Sequence, residues 1–86
     1  MPYHLELETC AVRELKGLPR EVQAQVGPVL DDLQNEPRPP GTKKITGHPG
    51  YRIRKGQYRI LYTVNDKQKL VRVYRIGHRR DVYRRL

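Results

Sequence analysis

Apolar and polar residues alternate strictly near the N-terminus, with Tyr3, Leu5 and Leu7 set against His4, Glu6 and Glu8. This is the two-residue period of a strand with one buried side. The period then lengthens. Val12 and Leu15 share a helical face after Thr9, whose hydroxyl suits the cap of a short helix running to Lys16, and Gly17 ends it. Val22, Val26, Val29, Leu30 and Leu33 form a second helical stripe, entered at Pro19, where a first turn tolerates proline. Pro28 lies inside that stripe without an amide hydrogen, which predicts a kink or break near Gly27.

Over residues 37–50 the periodicity gives way to Pro, Gly and Lys, predicting an irregular surface connection. Loops of such length in small domains are often functional. Three strand-like runs follow at 51–54, 58–64 and 70–76, separated by Lys55-Gly56 and by the polar stretch 65–69, both suited to hairpins. The expected fold class is α+β: an N-terminal helical hairpin packed on a four-stranded antiparallel sheet, with residues 1–86 as one domain.

Turn positions imply which side chains share a sheet face. A two-residue turn at Lys55-Gly56 sets Arg52 opposite Arg59 and Ile53 opposite Tyr58. A turn centred on Asp66 and Lys67 sets Arg59 opposite Tyr74, Leu61 opposite Arg72, Ile60 opposite Val73 and Tyr62 opposite Val71. One face then collects Ile53, Tyr58, Ile60, Tyr62, Val71 and Val73 as core. The other collects Arg52, Arg54, Arg59, Leu61, Arg72 and Tyr74. Like charges across a ladder destabilise it, so four arginines on one face make sense if an anion lies over them. A one-residue bulge would reverse the facings.

Charge sharpens this picture. The 86 residues carry a net charge of +9, but residues 1–50 sum to −1 and residues 51–86 to +10. A basic half of that density attracts polyanions, of which nucleic acid is the commonest in a cytosol. At 36% hydrophobic residues the chain has little to bury, which points to a stabilising partner. A single cysteine, Cys10, excludes an internal disulfide and a Cys-rich zinc site, and no apolar run is long enough to span a bilayer. Without the layout of a signal peptide at the N-terminus, the expected location is the cytoplasm.

The candidate chemistry follows from what arginines can and cannot do. His4, His48 and His78 are far apart in sequence and no phosphate loop or serine nucleophile motif occurs, so neither metal nor cofactor is expected. Guanidinium groups grip phosphate oxygens bidentately and stay charged, which makes them good charge stabilisers and poor bases. Such a set suits RNA cleavage by the strand's own 2′-hydroxyl, where the protein aligns the attack, neutralises phosphoryl charge and moves protons. The proton acceptor is then His78 or a tyrosine. A tyrosine can also stack on a splayed base.

Several segments in order resemble the RelE/ParE toxin superfamily of toxin–antitoxin systems over nearly the whole chain. They are Ala11 and Leu15 with Leu18-Pro19, the 33–37 stretch, Lys43-Lys44-Ile45-Thr46-Gly47, Tyr51-Arg52-Ile53-Arg54, Gly56-Gln57-Tyr58-Arg59-Ile60-Leu61-Tyr62, and Gly77-His78-Arg79-Arg80-Asp81-Val82-Tyr83. The resemblance implies a microbial RNase-like fold and, in the RelE branch, ribosome-dependent cleavage of mRNA in the A site, restrained by a RelB-type antitoxin. It implies a catalytic set of Arg54, Arg59, Arg79 and Tyr83, joined here by His78. Arg52, Lys43, Lys44, Arg72, Tyr74 and Arg80 are the expected RNA-binding residues.

The best-known family pattern has lysines at the positions of Arg52 and Arg54, which leaves proton transfer to another group. The chain stops three residues after Tyr83, so a long terminal helix is not expected. Two other readings remain beside this one: a ParE-like inhibitor of DNA gyrase, and a basic RNA-binding module without catalysis. Expected partners on the first reading are the antitoxin, the ribosome with its rRNA, and mRNA, with no membrane.

Overall fold

The computed structural model describes residues 2–83; the expectation about the end of the chain beyond Tyr83 falls on residues outside them. Along the chain come β1 (His4–Leu7), α1 (Thr9–Lys16), α2 (Arg20–Asn35), β2 (Lys43–Lys44), β3 (Tyr51–Lys55), β4 (Tyr58–Asn65) and β5 (Leu70–His78). The strands form one sheet in the order β1-β5-β4-β3-β2. β1 runs parallel to β5, and the other pairings are antiparallel.

Two helices on a sheet match the pattern of the sequence, but the sheet has five strands and is mixed. Hairpin turns dictate direction only between the strands they join. β1 reaches β5 through both helices, so its alternation carries no information about its direction. β2 arises within the stretch expected to be irregular, where Lys43 pairs with Arg52 and Lys44 with Tyr51. An exposed edge strand of two lysines has no apolar face to show.

The helix ends also differ in detail. Glu8, not Thr9, is the cap of α1: its own amide donates to the Val73 carbonyl at 2.9 Å and its carbonyl accepts from Val12 at 3.0 Å. The β1 edge therefore runs straight into the helix. Pro19 caps α2, its carbonyl accepting from Val22 and Gln23. Pro28 sits within α2 without ending it. Both Pro28 and Ala24, whose carbonyl loses its partner, are on the exposed side, so water can hydrate that carbonyl while the buried stripe continues through Val26, Leu30 and Leu33. No helix among the described residues is long and apolar enough to cross a membrane.

The core between helices and sheet gathers Ala11, Val26, Leu30 and Leu33 against Ile53, Ile60, Tyr62, Val71, Val73 and Ile76. Burying each large side chain contributes about 1.5–3 kcal/mol before entropy is counted. A second, smaller cluster of Ile45, Leu61 and Val82, with Tyr74 against it, covers part of the other face. Alternation along the strands alone assigns no core to that face.

Strand register explains why the facings nevertheless came out largely as expected. Arg54, not Arg52, lies opposite Arg59, because Lys55 pairs with Tyr58 and the turn moves to Gly56-Gln57. A slip of two residues keeps every side chain on its side. On β5 the pairing shifts by one between Leu61 and Tyr62, leaving Tyr74 as the extra residue. That bulge turns Ile76 into the core. Gly77 does not end the strand but pairs with Arg59, and His78 pairs with Tyr58.

Candidate functional site

β3 places Arg52 and Arg54 on either side of the buried Ile53, so both point away from the helices. Arg59 precedes the buried Ile60 on β4 and sits directly across from Arg54. Its other neighbour in the ladder is Gly77, which contributes no side chain. Val82 fills that space, lying where a Cβ on Gly77 would be in ordinary contact at 3.7 Å.

The turn after β5 brings the chain back over this face. The His78 carbonyl accepts the amide hydrogens of Asp81 at 2.8 Å and Val82 at 2.9 Å, and Arg79 donates to the Gln57 carbonyl at 2.8 Å. Val82 is 1% exposed against Leu61 and Ile45. This small core fixes Arg79 and Tyr83 at either end of the turn.

Arg59 is therefore the electrostatic centre of the face. Its guanidinium is held below the ordinary arginine value, first by burial and then by repulsion from Arg52 and Arg54; Tyr83 opposes this, and Arg79 adds to it. One Nη1 on Arg52 and one on Arg59 are shut from solvent without a hydrogen-bond partner among the described residues. An arginine donor left in that state is costly unless an acceptor approaches, and phosphate oxygens are suited to the fork.

Beside Arg52 opens a cleft of about 420 Å³ lined by Lys43, Lys44, Ile45, Thr46, His48, Arg52 and Tyr83. Its loop is tied down by two hydrogen bonds. Gly47 and Gly50 occupy left-handed backbone at φ 80° and 89°, and a Cβ at Gly50 would collide with the Tyr62 carbonyl. The Ile45 amide donates to the Gly50 carbonyl at 3.1 Å, and the Tyr74 hydroxyl to the Pro49 carbonyl at 2.8 Å. Burial raises the Tyr74 phenol, with further upward pushes from Tyr83 and Glu8, which keeps its proton available for that bond.

Of the expected site residues, the structure brings Arg52, Arg54, Arg59, Arg79 and Tyr83 together and sets Lys43 and Lys44 on the cleft wall. It does not bring His78 to them. Paired with Tyr58 at the end of the ladder that joins Ile60 to Ile76, His78 lies on the helix side, its ring edge-on to Tyr58 with centroids 5.6 Å apart. Its Nδ1 accepts the Arg80 amide hydrogen at 3.2 Å, so it serves the turn. Tyr74 is used as a wall and an anchor for the loop rather than as an open surface. Arg72 lies toward the β1 edge, paired with Glu6 at 3.3 Å. Arg80 is exposed on the turn and does not line the cleft.

His48 was overlooked as a candidate for chemistry. The signal for it was the Gly47-His48-Pro49-Gly50 run inside a loop of functional length, which marks a histidine on a fixed turn.

Comparison with known proteins completes the description. Residues 5–83 match the family model described as the ParE toxin of the type II toxin–antitoxin system parDE. The chain is 36% identical to the toxin RelG of Mycobacterium tuberculosis over 99% of its own length and 100% of that protein's. Among solved structures, it resembles a chain of the RelBE2 toxin–antitoxin complex of Mycobacterium tuberculosis with a TM-score of 0.80 and 31% identity, covering 91% of this chain and 99% of that one. A chain of the archaeal RelE–RelB complex from Pyrococcus horikoshii matches with a TM-score of 0.80 and 28% identity, covering 95% of this chain and 100% of that one.

Proposed function

The chain belongs to the RelE/ParE superfamily and is a RelE-like toxin of a type II toxin–antitoxin system, and on that footing we propose that it is a ribosome-dependent endoribonuclease. It cuts mRNA in the A site by attack of the 2′-hydroxyl on the adjacent phosphate, and so acts in the cytoplasm on translating ribosomes. A RelB-type antitoxin neutralises it. The observation that carries this reading is the convergence of Arg52, Arg54 and Arg79 on Arg59, with an Nη1 on Arg52 and one on Arg59 shielded from solvent and without a hydrogen-bond partner among the described residues.

The geometry supports a role for each residue. Arg59, between Arg54 across the ladder and Arg79 from the turn, receives the scissile phosphate and stabilises the charge that grows on its oxygens. Arg52 joins that seat to the cleft, whose lysines grip neighbouring phosphates. Tyr83, 39% exposed at the cleft mouth, stacks on a splayed base and helps to hold the 2′-oxygen in line. An open face with few base-reading groups needs the ribosome to present the strand, so free RNA is a poor substrate.

The match to a ParE model favours one competing reading, inhibition of DNA gyrase. Purified toxin is added to programmed ribosomes, to naked RNA, and to gyrase with supercoiled DNA. Codon-positioned mRNA cuts that disappear in Arg59→Ala support the proposal. Trapped gyrase–DNA breaks without mRNA cuts overturn it in favour of the competing reading; rapid cutting of naked RNA contradicts the ribosome requirement. Neither product leaves a basic binding module.

A further inference from the structure

The arginine seat stabilises charge but contains no good proton acceptor, because a guanidinium does not release its proton. His78 is on the other side of the sheet with its Nδ1 engaged. His48 is different in each respect. It is half-buried, it lines the same cleft as Arg52 and Tyr83, and its ring makes no hydrogen bond to another described residue. The Ile45–Gly50 backbone bond and the Tyr74–Pro49 bond tie down its loop, in which Gly47 and Gly50 take up left-handed backbone. An imidazole free of hydrogen bonds, on the same cleft as Arg52, is a group able to take a proton close to a bound phosphate.

We infer that His48 is the general base of RNA cleavage, working in the cleft it shares with Arg52 and Tyr83; this rests on the nuclease reading above. Neutral imidazole takes the 2′-hydroxyl proton as the 2′-oxygen bonds to phosphorus. The phosphorus–5′-oxygen bond breaks, and the leaving oxygen takes a proton from water. The products are a 2′,3′-cyclic phosphate and a 5′-hydroxyl, and the imidazolium returns its proton to solvent. The charged and titratable groups facing His48 in the cleft are Lys43 and Lys44 from β2, Arg52 from β3 and Tyr83 from the terminal turn; among the described residues no carboxylate lines it.

The test is single-turnover cleavage of ribosome-bound mRNA from pH 5 to 9 by the wild-type toxin, His48→Ala, His48→Gln and Arg59→Ala, with melting curves and antitoxin binding as checks of folding. Both His48 variants are expected to lose about a hundredfold or more in the maximal rate at near-constant half-saturating toxin concentration, and to lose the acid limb. Added imidazole should restore part of the rate to His48→Ala and none to Arg59→Ala. A folded His48→Ala that cuts within about threefold of wild type, keeps the acid limb, or changes only in affinity overturns the inference while leaving the nuclease reading in place, a split that the rate/affinity separation makes readable. Absence of cutting by the wild type overturns both.

Discussion

Arg38 and Arg59 are the same residue type used in opposite ways. Arg38, on the loop after α2, donates to both Asp66 carboxylate oxygens at 3.3 and 2.8 Å and lies over the Tyr51 ring. The Tyr3 hydroxyl donates to the same carboxylate at 2.6 Å, so one pair ties the N-terminal segment, the loop and the β4–β5 hairpin together. These bonds raise Arg38 and hold Asp66 down at about 2. Among the described residues, the groups acting on Arg59 are Arg52, Arg54, Arg79 and the Tyr83 phenol, and burial with repulsion lowers it. The first arginine is explained by what it holds inside the molecule. The second has no such internal partner among the described residues, which is why we assign the proposed phosphate seat to the arginine face.

Breaking each side of this comparison gives different losses. Arg59→Ala should reduce mRNA cutting on ribosomes by about a hundredfold or more, the loss expected for removing one charge-stabilising donor from a transition state. Its melting temperature should hold or rise, because repulsion across the ladder is relieved. Arg38→Ala should do the reverse, melting earlier by calorimetry while cutting stays within about threefold. Tyr83→Ala should lower cutting by roughly tenfold, the worth of about 1–3 kcal/mol of base stacking, and Tyr83→Phe should retain most of it.

Smaller effects sharpen the contrast further. Sulfate in place of chloride should raise the melting temperature of the wild type more than that of an Arg52→Ala, Arg59→Ala double variant, the difference reporting anion binding at the seat. Asp66 gives the smallest effect. Its folded value of about 2 lies below the ordinary 3.8, so its contribution is complete above that ordinary value and is lost as pH falls through it toward 2. Asp66→Asn should flatten the dependence of melting temperature on pH in that window, and should leave it unchanged near neutrality.

Much of this was legible in the chain, for reasons that differ by region. The buried stripe of Val26, Leu30 and Leu33 and the alternation of Ile60 and Tyr62 with Arg59 and Leu61 are local patterns, and burial follows them. The arginine face survived a misplaced turn because the error was two residues, which preserves sides. The bulge at Tyr74 was not legible, since nothing in the alternation of β5 marks an extra residue; it turned Ile76 inward and carried His78 to the side of Tyr58. Sequence proximity to Arg79 made His78 the natural candidate for proton transfer, whereas His48 comes to the cleft through two glycine conformations and a tyrosine anchor 26 residues away. Long-range anchoring of that kind leaves no periodic trace.

The most direct measurement is a structure of the toxin on a programmed ribosome whose mRNA carries a 2′-deoxy nucleotide at the cut site, which blocks attack and preserves the complex. The account predicts scissile-phosphate oxygens at about 2.8 Å from the inward guanidinium nitrogens of Arg52 and Arg59, the distance of a charge-assisted hydrogen bond. A phosphate seated elsewhere, with those two arginines turned to rRNA or to solvent, contradicts it.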